Sequence, residues 1–261
     1  MMTPFRYITE GGNAIPESIP VAKNDVAAVV DAAKRAIPAA LLKRMQADIG
    51  SAGYKVESGD IDLMVEAEDV VALFRTQDEK NPVLAGKKAL EAYFRGKGID
   101  AKTNGNNVSI GIPYKKAVAQ VDVMVIHDAS IVAPYHQHGP RGSYKDPDFR
   151  GQPIFILMNS IGKALGLKFD AFGAKLMRRD DNTVVARDRD AVAKTLLNPN
   201  ATGDDLNSVK TIMAALAADP RKEEKLAQAR DDAAKGLINL PESVHTKPSA
   251  WFRQMKSILV K

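Results

Sequence analysis

The chain has 261 residues, 45% of them hydrophobic and 26% charged, which is typical of a soluble globular protein with a sizeable core. It has no cysteine, so disulfides, thiolate zinc sites and cysteine nucleophiles are excluded. The net charge of +5 permits a polyanionic partner, and the absence of a long apolar run or a signal-peptide pattern predicts a cytoplasmic protein that does not span a membrane.

The amino-terminal stretch is predicted to be a flexible arm. Residues 1–24 contain three prolines and the pair Gly11-Gly12. Helical periodicity begins near Asn24 and continues to Ile37, where Pro38 interrupts it before a second helical stretch.

The next part of the chain alternates between strand and helix patterns. Strands are predicted at 60–66, 108–112 and 119–126, with helices at 68–74 and 85–97 and a hairpin turn at 103–107. This order predicts an α/β (α+β) sheet domain over residues 25–133.

A linker is predicted for His136 to Arg150, which is rich in Gly, Pro and charge. Beyond it the patterns predict helices at 154–165, 188–197, 206–216 and 220–237, and a hairpin at 175–187. Between Arg141 and Arg189 the chain has ten Lys/Arg and six Asp/Glu, an excess of four positive charges.

Three aspartates on two of the predicted strands are candidates for a metal site. Asp60 and Asp62 are two residues apart on one strand, so both side chains project from the same face. Asp122 lies among valines, where a carboxylate needs a hydrogen-bonding partner or a cation. If the two strands are neighbours, the trio could bind Mg²⁺ ions for phosphoryl or nucleotidyl transfer.

A Gly-Ser turn precedes the aspartates at a distance that favours phosphate binding. Ser51 stands nine residues before Asp60, and the main chain at Gly50 is free of a side chain. Backbone N–H groups and a hydroxyl can bind phosphate oxygens, and Lys55 can add a positive charge.

The string IGSAGYKVESGDIDLMV resembles the palm signature of the polymerase β-type nucleotidyltransferase superfamily, and of family X DNA polymerases in particular. In that pattern a third aspartate follows about sixty residues later, as Asp122 does. The resemblance implies that Asp60 and Asp62 bind both metals. It also implies that Asp122 binds the catalytic metal and accepts the hydroxyl proton, while Ser51 and the Lys55 region hold phosphates.

The resemblance extends loosely into a thumb-like lobe. Phe149 and Gly151 match the segment that lies beside the incoming sugar in family X enzymes, although Asp148 stands where the family has Tyr. Ala52-Gly53-Tyr54 also departs from the family, which usually has arginines there.

The expected fold is therefore a polymerase β-type palm, with the chain organised as an arm (1–24), a palm (25–133), a thumb-like lobe (145–204) and a helical carboxyl-terminal extension (205–261). The expected activity is nucleotidyl transfer from an NTP or dNTP to a hydroxyl, with two Mg²⁺ or Mn²⁺ ions. A DNA 3′-end is the favoured acceptor, and the predicted nucleotide contacts are Gly50, Ser51, Lys55, Phe149 and Gly151.

Two other interpretations stay open. The acceptor could be RNA, a protein or a small molecule, or the chain could be a binding or virion protein that keeps the fold without activity. Ile8-Thr9-Glu10 before Gly11-Gly12 resembles the sites cut by tailed-phage prohead proteases. That resemblance implies removal of residues 1–10 and packaging in a phage head.

Overall fold

The structure is a computed structural model that describes residues 14–47, 49–136 and 152–234. Two compact units divide the chain at Met1–Ala133 and Pro134–Lys261. Phe149, Gly151 and the 8–12 motif lie outside the described residues. No helix among the residues that are described is both long and apolar enough to cross a membrane.

The secondary structure follows the chain in a mixed α and β order. The helices are α1 (Val26–Ala36), α2 (Ala39–Leu42), α3 (Ala67–Phe74), α4 (Pro82–Gly96), α5 (Ala129–His136), α6 (Gln152–Ala164), α7 (Arg189–Leu196), α8 (Val209–Leu216) and α9 (Lys222–Ala234). The strands are β1 (Val21–Ala22), β2 (Glu57–Ser58), β3 (Asp60–Glu66), β4 (Ala101–Asn104), β5 (Asn107–Tyr114), β6 (Ala117–Ile126), β7 (Leu167–Asp170), β8 (Lys175–Arg178) and β9 (Val184–Ala186). The predicted mixed α and β class is confirmed.

The main sheet of the first unit has the strand order β3-β6-β5-β4. Strands β3 and β6 are parallel, while β5 is antiparallel to both β6 and β4. The parallel pair is possible because a long connection, which includes α3 and α4, separates the two strands in the chain. β3 and β6, which carry the three aspartates, are therefore direct neighbours.

One face of this sheet is apolar and packs against helices. Alternate residues of the strands supply it, among them Ile61, Leu63, Val121 and Val123, all at most 1% exposed. The helices α1, α3 and α4 contribute buried side chains to the same cluster, which are Val29, Ala33, Val70, Leu90 and Phe94. Because strand side chains alternate, the residues between them point to the opposite face.

The predicted flexible arm is wrong for residues 14–24, which pack onto the first unit. Ile15 and Val21 are buried, and β1 pairs with β2. Ile19 N–H donates to the Val118 carbonyl at 2.9 Å. The prolines and glycines led to the arm prediction. The first residues of β6 extend beyond the end of β3, however, so the backbone of Val118 is left to pair with Ser18 and Ile19.

The second unit contains a three-stranded antiparallel sheet, β7-β8-β9, and the helices that follow α5. Both the predicted lobe at 145–204 and the predicted extension at 205–261 fall within this unit. Helix α9 packs against α6, and the buried Lys225 ammonium donates to the Leu197 carbonyl at 2.8 Å and to Asp219 at 2.7 Å. The helices after residue 204 are therefore part of the same compact unit.

Candidate active site

The register between β3 and β6 places Asp62 directly beside Asp122. Asp60 is paired with Gln120 two residues earlier in the same ladder. Neighbouring strands lie about 4.8 Å apart, and residues two apart on one strand are separated by roughly 7 Å. All three carboxylates thus belong to one small area of the face opposite the apolar core.

The turn before β3 lies against Asp62. Gly50 adopts a φ of +74°, in the left-handed region that favours glycine. A Cβ atom at this position would be only 2.1 Å from Asp62 Oδ2 and 3.0 Å from its Cγ. The main chain at Gly50 therefore approaches the carboxylate as closely as the absence of a side chain allows.

Replacing Gly50 by Ala should force the Asp62 carboxylate to turn away, and Gly53→Ala provides the matched control. Gly53 also has a positive φ, +83°, but a Cβ there would meet nothing within 4 Å. We expect Gly53→Ala to lower the free energy of unfolding by about 1 kcal/mol, the cost of the left-handed backbone. Gly50→Ala should cost about 2–4 kcal/mol because the displaced carboxylate adds to that strain. Urea unfolding measures both values, and equal losses would contradict the observed approach to Asp62.

The Asp62 carboxyl has a strongly raised pKa. Burial, followed by the nearby charges of Asp60 and Asp122, raises its pKa from 3.8 to about 7. Like charges and burial both disfavour the ionised form, and a bound cation would reverse both effects. The cluster of aspartates is therefore one in which a bound cation would be stabilising.

Two side-chain amides hold the Asp122 carboxylate, which is 7% exposed. Gln120 Nε2 donates to Oδ1 at 2.9 Å, and Asn107 Nδ2 donates to Oδ2 at 3.0 Å. Each carboxylate oxygen keeps further lone pairs, because an ionised carboxylate can accept about four hydrogen bonds or metal contacts. Asp122 is thus oriented by neutral donors and still able to bind a cation.

The trio does not form a ready-made metal cluster. Within residues 14–47, 49–136 and 152–234, no group of three or more His, Asp or Glu side chains is arranged to hold an ion. The register of β3 and β6 nevertheless keeps the three aspartates close together on adjacent strands. The donor set fits Mg²⁺ or Mn²⁺, which prefer carboxylate oxygens.

Three of the five predicted nucleotide contacts lie in the turn that precedes the aspartates. Gly50 and Ser51 lie in the turn next to β3, and the Tyr54 N–H donates to the Ser51 carbonyl at 3.2 Å. Lys55 lies half-buried at the end of the same turn. Phe149 and Gly151 are outside the residues described, so the predicted sugar contact stays a prediction.

Sequence reasoning missed the two amides that hold Asp122. Gln120 could have been found, because it lies two residues before Asp122 and must share its face of the strand. Asn107 required the register of β5 on β6, in which it lies diagonally next to Asp122. The turn residues around Asn107 pointed only to a hairpin.

The sequence was also compared with known proteins. A scan against protein-family models finds no match, and a search of curated proteins finds no sequence of significant similarity.

Proposed function

We propose that this protein is a metal-dependent nucleotidyltransferase that transfers a nucleoside monophosphate from an NTP or dNTP to a hydroxyl group. The observation that carries the proposal is the pairing of Asp62 with Asp122 on neighbouring strands, with Asp60 on the same face and Gly50 against Asp62. Acidic side chains beside a glycine turn combine a cation site with a phosphate site.

The negative charge of the three aspartates favours the binding of a divalent metal ion. Three carboxylates share one face of two strands, and burial together with the charges of Asp60 and Asp122 raises the pKa of Asp62 to about 7. When bound, Mg²⁺ would lower the pKa of the attacking hydroxyl and neutralise the triphosphate and the departing pyrophosphate. Asp60, Asp62 and Asp122 would hold the metal.

The protein's own groups would then bind and orient the reactants. The main-chain N–H groups and hydroxyl of the Gly50-Ser51 turn would hold the terminal phosphates, helped by the charge of Lys55. The attacking hydroxyl oxygen forms a bond to the α-phosphorus, and the bond from that phosphorus to the bridging oxygen breaks. The hydroxyl proton passes to Asp122, and pyrophosphate leaves.

The resemblance to the polymerase β-type superfamily supports this assignment and extends it to a palm fold. The mixed sheet, with two parallel strands that bear the aspartates, is compatible with such a palm. Within the superfamily the likeness is greatest to family X DNA polymerases, because Phe149 and Gly151 match their thumb segment. We therefore propose a DNA 3′-end as the acceptor.

The surface of the second unit supports a polynucleotide acceptor. Exposed cations and an exposed aromatic ring lie around its small sheet, where Phe172 is 44% exposed and Arg178 and Arg179 are exposed at the end of β8. Basic side chains bind the phosphate backbone, and an exposed aromatic ring can stack on a base. Asp170 and Lys175 form an ion pair at 3.6 Å, so not every cation on this surface is available.

The proposed function is tested by labelling. The protein is incubated with labelled dNTPs or NTPs, Mg²⁺ or Mn²⁺, and gapped DNA, single-stranded DNA, RNA or no added acceptor. We expect label on DNA 3′-ends that disappears with EDTA and in an Asp60→Ala/Asp62→Ala variant. Label only on RNA, or on the protein itself, would uphold the chemistry and overturn the acceptor. No label on any acceptor with either metal would overturn the function.

A further inference from the structure

A hydrogen-bonded connection joins the amino-terminal segment to the Asp122 carboxylate. The N–H groups of Ala14 and Ile15 donate to Gln120 Oε1 at 2.8 and 3.1 Å. The other end of the same amide donates from Nε2 to Asp122 Oδ1 at 2.9 Å. Two residues more than a hundred positions upstream are therefore linked to Asp122 by a single side chain.

The two backbone donors determine which way the Gln120 amide points. Only the oxygen of a glutamine amide can accept from an N–H group, so Oε1 must face Ala14 and Ile15. The NH₂ group is then turned toward Asp122, which can only accept. Gln120 is 2% exposed, so water cannot easily replace either set of partners.

The sheet makes room for this segment at Gly111. Gly111 is paired with Gln120 in the ladder between β5 and β6, so the two positions share a face. A Cβ at Gly111 would be 3.1 Å from Ile15 Cγ2, in contact with a side chain that is itself 3% exposed. The Ile15 side chain thus occupies the space that a residue larger than alanine at 111 would need.

The same segment is fixed again a few residues later. Ser18 forms a bridge with Val118, and the Ile19 N–H donates to the Val118 carbonyl at 2.9 Å. Val118 precedes Gln120 on β6 by two residues. Residues 14–19 are therefore held along the part of β6 that leads into Asp122.

We propose that residues 14–19 fix the orientation of the Asp122 carboxylate through Gln120, and that Gln120 and Asn107 are positioning residues for the active site. The N–H groups of Ala14 and Ile15 fix the orientation of the Gln120 amide. Gln120 then holds one oxygen of the Asp122 carboxylate, and Asn107 holds the other. The remaining lone pairs of Asp122 are then directed to a constant place. The consequence for catalysis rests on the proposed function, whereas the orientation of Asp122 does not.

Hydrogen-bonding partners behind metal ligands typically change metal affinity or activity by about 10–100-fold when they are removed. Gln120→Met keeps the length of the side chain but removes both the acceptor and the donor. Gly111→Val leaves Gln120 and Asp122 intact and displaces Ile15. Gly111→Ala is its control, since a methyl group at 3.1 Å is accommodated by a small shift of Ile15. Gln77→Met, at an exposed site after α3, is the control for Gln120→Met.

The experiment combines metal-free crystal structures of the full chain with titration of Mn²⁺. We expect the Asp122 carboxylate to leave its single orientation in both Gln120→Met and Gly111→Val, and to keep it in the two controls. Mn²⁺ affinity should fall by about 10–100-fold in Gln120→Met and by about tenfold in Gly111→Val. Transfer by these variants should lose kcat while the KM for the triphosphate changes little.

The crystal structures test the orientation of Asp122, whereas Mn²⁺ binding by the wild-type protein tests the proposed function. An unchanged Asp122 orientation in Gly111→Val, with Ile15 displaced, would overturn the role of the segment. An unchanged orientation in Gln120→Met would overturn the role of Gln120. If Asp122 reorients in both variants but the wild-type protein binds no Mn²⁺, the inference holds and the proposed function fails.

Discussion

Replacing Asp122 with Asn is expected to lower the rate of nucleotidyl transfer by at least about 10³-fold, which corresponds to about 4 kcal/mol of transition-state stabilisation. The substitution removes one charge from the metal ligands and the proposed acceptor of the hydroxyl proton. Metal ions supply several kcal/mol of charge stabilisation in such reactions, so a weakened ion loses much of the rate. Single-turnover labelling of a DNA primer with saturating dNTP measures the effect.

The Asp122→Asn variant should keep its fold, so that a loss of activity reports on the reaction and not on unfolding. The Gln120 amide cannot rotate by half a turn without losing the hydrogen bonds from the Ala14 and Ile15 N–H groups. The amide of the half-buried Asn107 can rotate, and its oxygen then accepts from the NH₂ group of the new asparagine. We expect the free energy of unfolding to change by no more than about 1–2 kcal/mol. Asp31→Asn, on the exposed side of α1, is the control and should retain full activity. Activity of Asp122→Asn within tenfold of the wild type would argue against the assigned role.

Replacing Asp62 with Asn is expected to stabilise the metal-free protein, and more so at higher pH. Burial and the charges of Asp60 and Asp122 raise the pKa of the folded-state carboxyl from 3.8 to about 7. Between pH 3.8 and pH 7 the Asp62 carboxyl is ionised in the unfolded chain but protonated in the folded protein. The free energy of unfolding therefore falls as the pH rises toward 7. Asparagine does not ionise, and the variant avoids that loss.

The size of the effect follows from the pKa. We expect the advantage of Asp62→Asn over the wild type to grow by about 2.5 kcal/mol between pH 5 and pH 8 in EDTA. Urea unfolding at the two pH values measures it, and comparison with Asp31→Asn removes the contribution of surface charge. Mg²⁺ should narrow the difference, because it stabilises only the protein that binds it. An advantage of the same size at both pH values would contradict the raised pKa of Asp62.

The sequence was sufficient to predict the strands of the candidate site. The alternation in Asp60–Glu66 and the valine-rich run around Asp122 agree closely with β3 and β6, because hydrophobic alternation reports directly on which face of a strand is buried. The same alternation predicted that Asp60 and Asp62 share a face. That β3 and β6 are neighbours had to be assumed, since strand order depends on contacts between distant parts of the chain.

The supporting groups of the site could not be predicted in the same way. The link from Ala14 and Ile15 to Gln120 spans more than a hundred residues, and it involves backbone N–H groups that leave no trace in the sequence. Helix α5 was also not anticipated, because Pro134 lies inside it and its apolar pattern is weak. The close approach of Gly50 to Asp62 depends on a backbone turn that only the structure defines.

The proposed function requires the three aspartates to bind a divalent cation together. Crystals grown with Mn²⁺ and a non-hydrolysable dNTP analogue, measured at a wavelength where manganese scatters anomalously, test it most directly. We predict an anomalous peak between Asp60, Asp62 and Asp122, with the triphosphate at the Gly50-Ser51 turn and no peak in Asp122→Asn. An analogue bound without an ion at the carboxylates, or an ion bound only elsewhere, would contradict the claim.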